Sequence, residues 1–284
     1  MELTVEPAPT WSAQGPLAER ALEFAKRFAG SLPPGAVVPH LIRVEHAPAE
    51  HVGLGTGTQL GMTTAQALAT ASNLSMDATD LARRIGRGAR SGLGVHGFAQ
   101  GGFLIDGGKR EGQGVAPLVA RSVFPEEWRI VLIIPPWGQG LHGDGENAAF
   151  HSLVSRQFSA TLTDTLCRLA LLGMLPALIE HDWHVFGEVI YEFNARVGEA
   201  FKPVQKGIYA DPRIAELISF IRRQGIPGAG QSSWGPTVFA LADDDSRAAD
   251  LASRIRNQFG LSAQAILSTR ACNQGADSTA DAAR

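Results

Sequence analysis

Between Pro16 and Leu32, apolar residues recur at Leu17, Ala21, Leu22, Phe24, Ala25 and Phe28, with Glu19, Arg20, Glu23, Lys26 and Arg27 between them. This is the spacing of a helix with one buried face. Pro33-Pro34-Gly35 ends it, and the apolar, β-branched stretch Val37 to His46 predicts a strand. Thr58 to Ala71, rich in Ala, Leu and Gln, predicts a second helix, and Asp77 to Ile85 a shorter one capped by Ser75 or Asp77. From Gly92 to Gly107 short apolar runs flank Gln100-Gly101-Gly102, the pattern of a β-hairpin ending at Ile105-Asp106. The run Trp128 to Pro135, apolar on both faces, predicts an interior strand. Helical stretches follow at Glu146 to Leu172 with a break near Phe158 to Thr161, at Asp182 to Phe201 and at Asp211 to Gln224. Strands at Thr237 to Leu241 and Ser262 to Thr269 enclose a helix at Ser246 to Phe259. The segment from Cys272 to Arg284 has no large apolar residue and predicts a disordered tail. The pattern is α+β, with a boundary near Pro125 to Glu127: one domain over 1–126, a second over 127–271 and a tail over 272–284.

Composition narrows the functional classes. Of 284 residues, 44% are hydrophobic and 19% charged, and the formal net charge is −3, so the chain groups with folded globular proteins. A general nucleic-acid binder would carry a basic excess. Met1 to Pro9 carries two glutamates and two prolines and does not read as a signal peptide. The longest apolar stretch, Leu166 to Ile179, is broken by Arg168 and Pro176, so no membrane span is expected. Cys167 and Cys272 are too few for a disulfide framework or a thiolate metal site, which suggests a reducing cytoplasm. Glycine is the departure: 32 residues, concentrated between Gly53 and Gly145 and again at 225 to 235.

The string Glu50-His51-Val52-Gly53-Leu54-Gly55-Thr56-Gly57-Thr58-Gln59 lies between a predicted strand and a predicted helix. Closely spaced glycines let backbone amides converge there, and the helix dipole makes the same point an anion site. A tight structural turn would show the same composition. No Lys-Ser/Thr follows the last glycine, so it is not a Walker loop, and the spacing is not that of a dinucleotide fingerprint.

The string Pro48 to Gln59 resembles the phosphate loop of the GHMP kinase superfamily. The Gly-Thr-Gln ending, together with Gly86-Arg87-Gly88-Ala89-Arg90-Ser91-Gly92-Leu93-Gly94 and the block Gly101 to Gly108, is similar to the β-ribofuranosylaminobenzene 5′-phosphate synthases. Two further blocks match in order: Gly140-Leu141-His142-Gly143 with Glu146, Ala149 and Phe150, and Gly230 to Ala240. The resemblance implies a domain like the second domain of ribosomal protein S5 followed by a ferredoxin-like domain, with the site between them. It implies a reaction of phosphoribosyl pyrophosphate with 4-aminobenzoate that gives a C-riboside phosphate, CO2 and pyrophosphate, in tetrahydromethanopterin biosynthesis. Mg²⁺ is the expected ion, with no organic cofactor, no nucleic-acid or membrane partner, and a homodimer as the base-rate assembly.

Such a reaction needs cations and oriented amides on two phosphate groups. Gly53, Leu54, Gly55, Thr56, Gly57, Thr58 and Gln59 would form one cradle, and Gly230, Gln231, Ser232 and Ser233 a second anion-binding turn or a glycine-permitted strand entry. Arg87, Arg90 and Ser91 are phosphate candidates inside a glycine-rich segment, and Lys109 and Arg110 are weaker ones, with a solvated surface as the alternative for the four cations. Asp106 and Glu146 are the candidate Mg²⁺ carboxylates, or else turn and cap residues. His51 and His142 are candidates for proton transfer or for pairing with the benzoate, and Trp137 and Trp234 for stacking on its ring, or else for structural hydrogen bonding and packing. A small-molecule kinase is the alternative function. Superfamily kinases often place a carboxylate in a Ser-Gly-x-Asp segment, whereas this chain has Ser91-Gly92-Leu93-Gly94. A non-catalytic protein on the same scaffold is a third possibility. Ahead of the first helix the superfamily usually has a strand and a Gly-rich segment that Met1 to Trp11 does not match, so the first strand is expected to be missing.

Overall fold

At the N-terminus Leu3 and Val5 alternate with Glu2, Thr4 and Glu6, and this short alternation forms strand β1 (Glu2–Pro7). The computed structural model describes residues 1–109, 114–137, 160–205 and 207–279. β1 and β2 (Ser12–Gln14) both precede α1 (Ala18–Gly30), so the polar leader ahead of the first helix is built of two short strands. With two apolar residues among six, β1 carries too weak a signal to stand out from a polar leader.

The chain divides into two units, and the first comprises Met1–Glu50, Gly55–Arg121 and Cys272–Arg284. Its three-stranded sheet has the order β1-β3-β2, with β3 (His40–His46) antiparallel to β1 and parallel to β2. The register sets Leu3 against Val44 and Val5 against Ile42. On this sheet pack the apolar stripe of α1 (Ala21, Phe24, Ala25, Phe28) and the buried side of α2 (Thr56–Ala71), including Leu60, Ala65 and Leu68. α3 (Ala78–Arg84) is capped by Asp77, whose carboxylate accepts the Asp80 amide at 2.7 Å.

The first arm of the expected hairpin is instead a helix, α4 (Leu93–Gln100), which buries Val95 and Phe98 three residues apart. Its glycines at 94 and 97 mimic a turn-rich segment in the sequence, but a Cβ on Gly94 would lie 3.0 Å from Thr58, while Gly97 has ordinary room beside Leu104. β4 (Phe103–Asp106) pairs with β5 (Leu118–Ser122). The tail is also corrected over its described part. The Gly102 amide donates to the Cys272 carbonyl and the Ala276 amide to the Phe98 carbonyl, both at 2.7 Å. Arg121 adds a bond to the Asn273 carbonyl at 2.6 Å. Backbone bonding holds this segment, so its lack of large apolar residues misleads.

The second unit comprises His51–Leu54 and Ser122–Ala271. Its four-stranded antiparallel sheet has the order β7-β8-β6-β9, and β6 (Arg129–Ile133) is the interior strand the sequence predicts. β7 is Ala229–Gln231, β8 Val238–Ala242 and β9 Ile266–Thr269. The helices in order are α5 (Ala160–Leu169), α6 (Leu175–Ile179), α7 (Trp183–Gln205), α8 (Pro212–Arg223) and α9 (Asp245–Phe259). A π-helical turn, Ala170–Met174, joins α5 to α6, so the helix runs past Leu172 to Ile179 despite Pro176. The wide turn accommodates the proline ring and its missing donor. Among the described residues, Ala160–Ile179 is the one helical stretch that meets the length and composition of a membrane span, a test that core helices of soluble proteins also pass. α8 and α9 bury Leu217, Ile221, Leu251 and Ile255 in one core with Val131, Ile133 and Val238. Trp128, Phe124 and Phe186 form an aromatic cluster with centroids 5.4 to 5.8 Å apart. The buried Arg129 guanidinium pairs with the Asp245 carboxylate and donates to the carbonyls of Glu126, Glu127 and Trp128.

Candidate functional site

The glycine loop is fastened on the side of the first unit by two polar contacts. The buried Thr56 hydroxyl donates to the Ala49 carbonyl at 2.8 Å, and the Glu50 carboxylate pairs with the Arg20 guanidinium from α1. Gly55 takes a left-handed conformation (φ 68°) at the N-cap of α2, and its carbonyl accepts the amides of Thr58 and Gln59. The amides of Thr56 and Gly57 precede the first bond of the helical ladder, so they have no partner within the helix and add to the positive end of the dipole.

Gly57 has no positive φ, and its glycine identity has a different cause. A Cβ there would lie 2.6 Å from Nη2, 3.0 Å from Cζ and 3.3 Å from Nη1 of Arg20. The guanidinium therefore rests against the first turn of α2. Arg20 also lies 5.9 Å from the centroid of the buried Phe24 ring, and Arg87 lies 4.9 Å from the same ring. Sequence reasoning passed over Arg20 because helical spacing does not separate it from Glu19, Glu23, Lys26 and Arg27.

Three glycine-rich blocks meet in this unit. The Gln59 side chain donates to the Gly94 carbonyl at 2.9 Å. Ser91 donates to Asp106 Oδ2 at 2.8 Å, and the Gly92 amide donates to the same oxygen at 2.9 Å. The Gly108 amide reaches Oδ1 at 3.1 Å. The Ser91 hydroxyl also accepts the Leu93 amide at 3.2 Å. Asp106 is thus the clip between the Arg87–Gly92 segment and β4. Three donors reach its two oxygens, and among the described residues no group of three His, Cys, Asp or Glu is placed to hold a metal. Arg90 and His51 are exposed, His51 with φ 60°, and Lys109 donates to the Gly114 carbonyl at 3.3 Å. Arg110, His142 and Glu146 lie outside the described residues.

The preceding part of the loop, His51–Leu54, belongs to the second unit. There the Ser232 hydroxyl donates to the Gly53 carbonyl at 2.7 Å and the Thr237 amide to the Val52 carbonyl at 3.4 Å. Gly53 combines φ 86° with a site where a Cβ would lie 2.5 Å from the Ser232 carbonyl oxygen. The Ser232–Thr237 turn is closed on itself: Ser232 N donates to Thr237 O and Gly235 N to Ser232 O. Ser233 has φ 53°, and the Gly235–Pro236 peptide is cis.

Gln231 is buried, its side chain joining the Ala210 amide to the Ser233 carbonyl, while its backbone pairs with the Asn194 amide group. A Cβ on Gly230 would lie 2.5 Å from Asn194. The side chains of Gln231 and Ser232 are therefore committed to the unit's own framework, Ser232 by its bond to Gly53. The tryptophans are likewise engaged. Trp234 is buried and stacks on Phe201 at 4.6 Å and 17°, and Trp137 packs on Phe259 and under Arg213. The Trp234 ring is thereby closed to an aromatic substrate, while Trp137 is half-buried.

Residues 174–261 match the family described as GHMP kinases C terminal. The chain is 34% identical over 206 residues to a β-ribofuranosylphenol 5′-phosphate synthase of Methanothermobacter thermautotrophicus, covering 68% of this chain and 61% of that protein. It therefore spans less than two thirds of that relative's length. The protein of the same name from Methanocaldococcus jannaschii is 32% identical over 241 residues, 79% of this chain and 70% of that one. For the Archaeoglobus fulgidus protein the figures are 31% over 249 residues, 80% and 72%. Among solved structures, a putative homoserine kinase from Listeria monocytogenes superposes with a TM-score of 0.68 at 18% identity, covering 99% of this chain and 90% of that one. The L. major mevalonate kinase in complex with R-mevalonate gives 0.62 at 14%, covering 97% and 86%. These likenesses establish the GHMP kinase-like α+β fold.

Proposed function

The chain belongs to the β-ribofuranosylphenol 5′-phosphate synthase family, and from that premise we propose that it joins phosphoribosyl pyrophosphate to a para-substituted benzoate. The products are a C-riboside 5′-phosphate, CO2 and pyrophosphate. The observation that carries the reading is the 31–34% identity to three synthases. The glycine loop supports it chemically. Amides at the N-terminus of α2 suit a phosphate group, and a guanidinium already lies against that turn.

In this reaction the ring carbon that bears the carboxylate bonds to the anomeric carbon of ribose as the bond from that carbon to pyrophosphate breaks. The bond from ring to carboxylate then breaks, its electron pair restores the aromatic ring, and CO2 leaves. No proton has to be removed from the ring carbon, so His51 is not needed as a base for rearomatisation. A para hydroxyl or amino group raises electron density at the attacking carbon. No motif distinguishes 4-aminobenzoate from 4-hydroxybenzoate as acceptor, and the relatives' name, which specifies a phenol product, favours 4-hydroxybenzoate. Mg²⁺ enters this reading as part of the substrate, bound to its pyrophosphate, and not through Asp106.

The kinase alternative draws on the shared fold. At Gly94, the place where many superfamily kinases carry a carboxylate, a Cβ would already be 3.0 Å from Thr58 Cγ2. The two readings separate in one assay of the purified chain. The synthase releases pyrophosphate from phosphoribosyl pyrophosphate only when a benzoate acceptor is present and does not turn over ATP. ATP turnover with homoserine or mevalonate, with no pyrophosphate release, would replace the synthase by a kinase.

A further inference from the structure

We propose that Arg20 is a phosphate-binding residue of the glycine loop, held in place by Glu50 and accommodated by Gly57. The inference rests on the reading of that loop as the cradle for the phosphates of phosphoribosyl pyrophosphate.

Three observations converge on it. Gly57 sits in the first turn of a 16-residue helix without a positive φ, a backbone conformation that does not call for glycine. The three atoms nearest a Cβ there all belong to the Arg20 guanidinium, so glycine at 57 makes room for that group. The ion pair to Glu50 fixes the guanidinium at a half-buried site, with 28% of the Arg20 side chain and 20% of the Glu50 side chain exposed. Nη1 makes the bond to Glu50, while Nη2 is the atom closest to the α2 turn.

The electrostatics explain the pairing. A cation at the N-terminus of a helix is opposed by the dipole, so Arg20 is unfavourably placed unless a negative charge accompanies it. Glu50 supplies one charge, and a phosphate at the amides of Thr56 and Gly57 would supply more. Arginine suits that task because its planar fork of five donors can serve a carboxylate and a phosphate at once. The ligand class is a diphosphate or a phosphate monoester dianion carried on ribose.

The test is calorimetric titration of the full chain with phosphoribosyl pyrophosphate and, separately, with inorganic pyrophosphate, on wild type, Arg20→Met, Arg20→Lys, Glu50→Gln and Gly57→Ala. Thermal melts verify folding. Arg20→Met is expected to weaken one or both ligands about tenfold or more, and Arg20→Lys to recover part of the loss. Gly57→Ala, which displaces the guanidinium, should weaken binding in the same direction. Glu50→Gln, which keeps an acceptor oxygen for Arg20 while removing a like charge, should weaken binding less than Arg20→Met. If Arg20→Met does not fold, Arg20→Lys and Gly57→Ala decide the matter. Wild-type affinity in those Arg20 and Gly57 variants would overturn the proposal, and so would equal weakening by Arg20→Met and Glu50→Gln, which would mark the pair as a tie between α1 and the loop. Wild type that binds neither ligand would overturn the phosphate loop and this role together, whereas normal wild-type binding with an unaffected Arg20→Met removes Arg20 alone.

Discussion

The Ser232 hydroxyl holds the Gly53 carbonyl at 2.7 Å across 179 residues of sequence. The contact ties the His51–Leu54 strap to the turn after β7, and the backbone of Gly53 lies so close to Ser232 that a methyl group would meet its carbonyl oxygen at 2.5 Å. Two substitutions should therefore differ in severity. Ser232→Ala loses one hydrogen bond, a cost of about 1 kcal/mol. Gly53→Ala incurs left-handed strain of roughly 1–2 kcal/mol together with the steric clash, so it should cost more. Urea unfolding midpoints and the KM for phosphoribosyl pyrophosphate measure both effects. A Gly53→Ala protein as stable as Ser232→Ala, with an unchanged KM, would contradict this geometry.

Asp106 is expected to act as a clip and not as a metal ligand. Asp106→Asn keeps the shape of the side chain but turns an amide NH2 toward one set of its donors, at Ser91 and Gly92 or at Gly108. It should lower stability by roughly 1–3 kcal/mol and raise the KM for phosphoribosyl pyrophosphate, leaving the Mg²⁺ concentration for half-maximal rate unchanged. A tenfold rise in that Mg²⁺ requirement would return Asp106 to the metal.

The segment from Cys272 onward belongs to the first unit although it follows the whole of the second in sequence. A chain ending at Ala271 loses the bonds of Cys272 to Gly102, Ala276 to Phe98 and Asn273 to Arg121. Its melting temperature should fall by several degrees, with faster amide exchange around α4 and β4. Unchanged exchange at Gly102 would show that the segment contributes nothing.

Acid stability should follow Asp245. Hydrogen bonds from the Arg129 guanidinium hold its carboxyl below the usual value near 3.8. The unfolded chain therefore binds the proton first, and the contribution is fully present above the unfolded pKa and lost as pH falls through the folded one. Asp211, lowered chiefly by hydrogen bonding to Arg213, behaves in the same sense. Asp245→Asn should be less stable than wild type at pH 7, and the gap should narrow at pH 2. A gap of the same size at both values would mean that the Arg129 contact does not depend on the charge.

The periodic parts of the fold were legible in the sequence. α1, α2 and β6 announce themselves by apolar spacing, and the Asp77 cap marks the start of α3. Three features were obscured for separate physical reasons. β1 has two apolar residues, α4 hides its helical period behind glycines, and residues 272–279 are held through backbone atoms that carry no side-chain signature. At the site, the glycine loop could be read from composition, but the partner of each glycine could not. Arg20 against Gly57 and Ser232 against Gly53 are encounters over long sequence distances, and no local pattern encodes them. Gln231 and Trp234 looked available because glycines surround them, whereas both side chains are buried.

The most direct test of the central reading is release of labelled CO2 from carboxyl-labelled 4-hydroxybenzoate and 4-aminobenzoate by the purified chain with phosphoribosyl pyrophosphate and Mg²⁺. The account predicts release that requires phosphoribosyl pyrophosphate, equals the C-riboside formed, and is faster with 4-hydroxybenzoate. Absence of release from either acceptor, with ATP consumed in a parallel kinase assay, would contradict it.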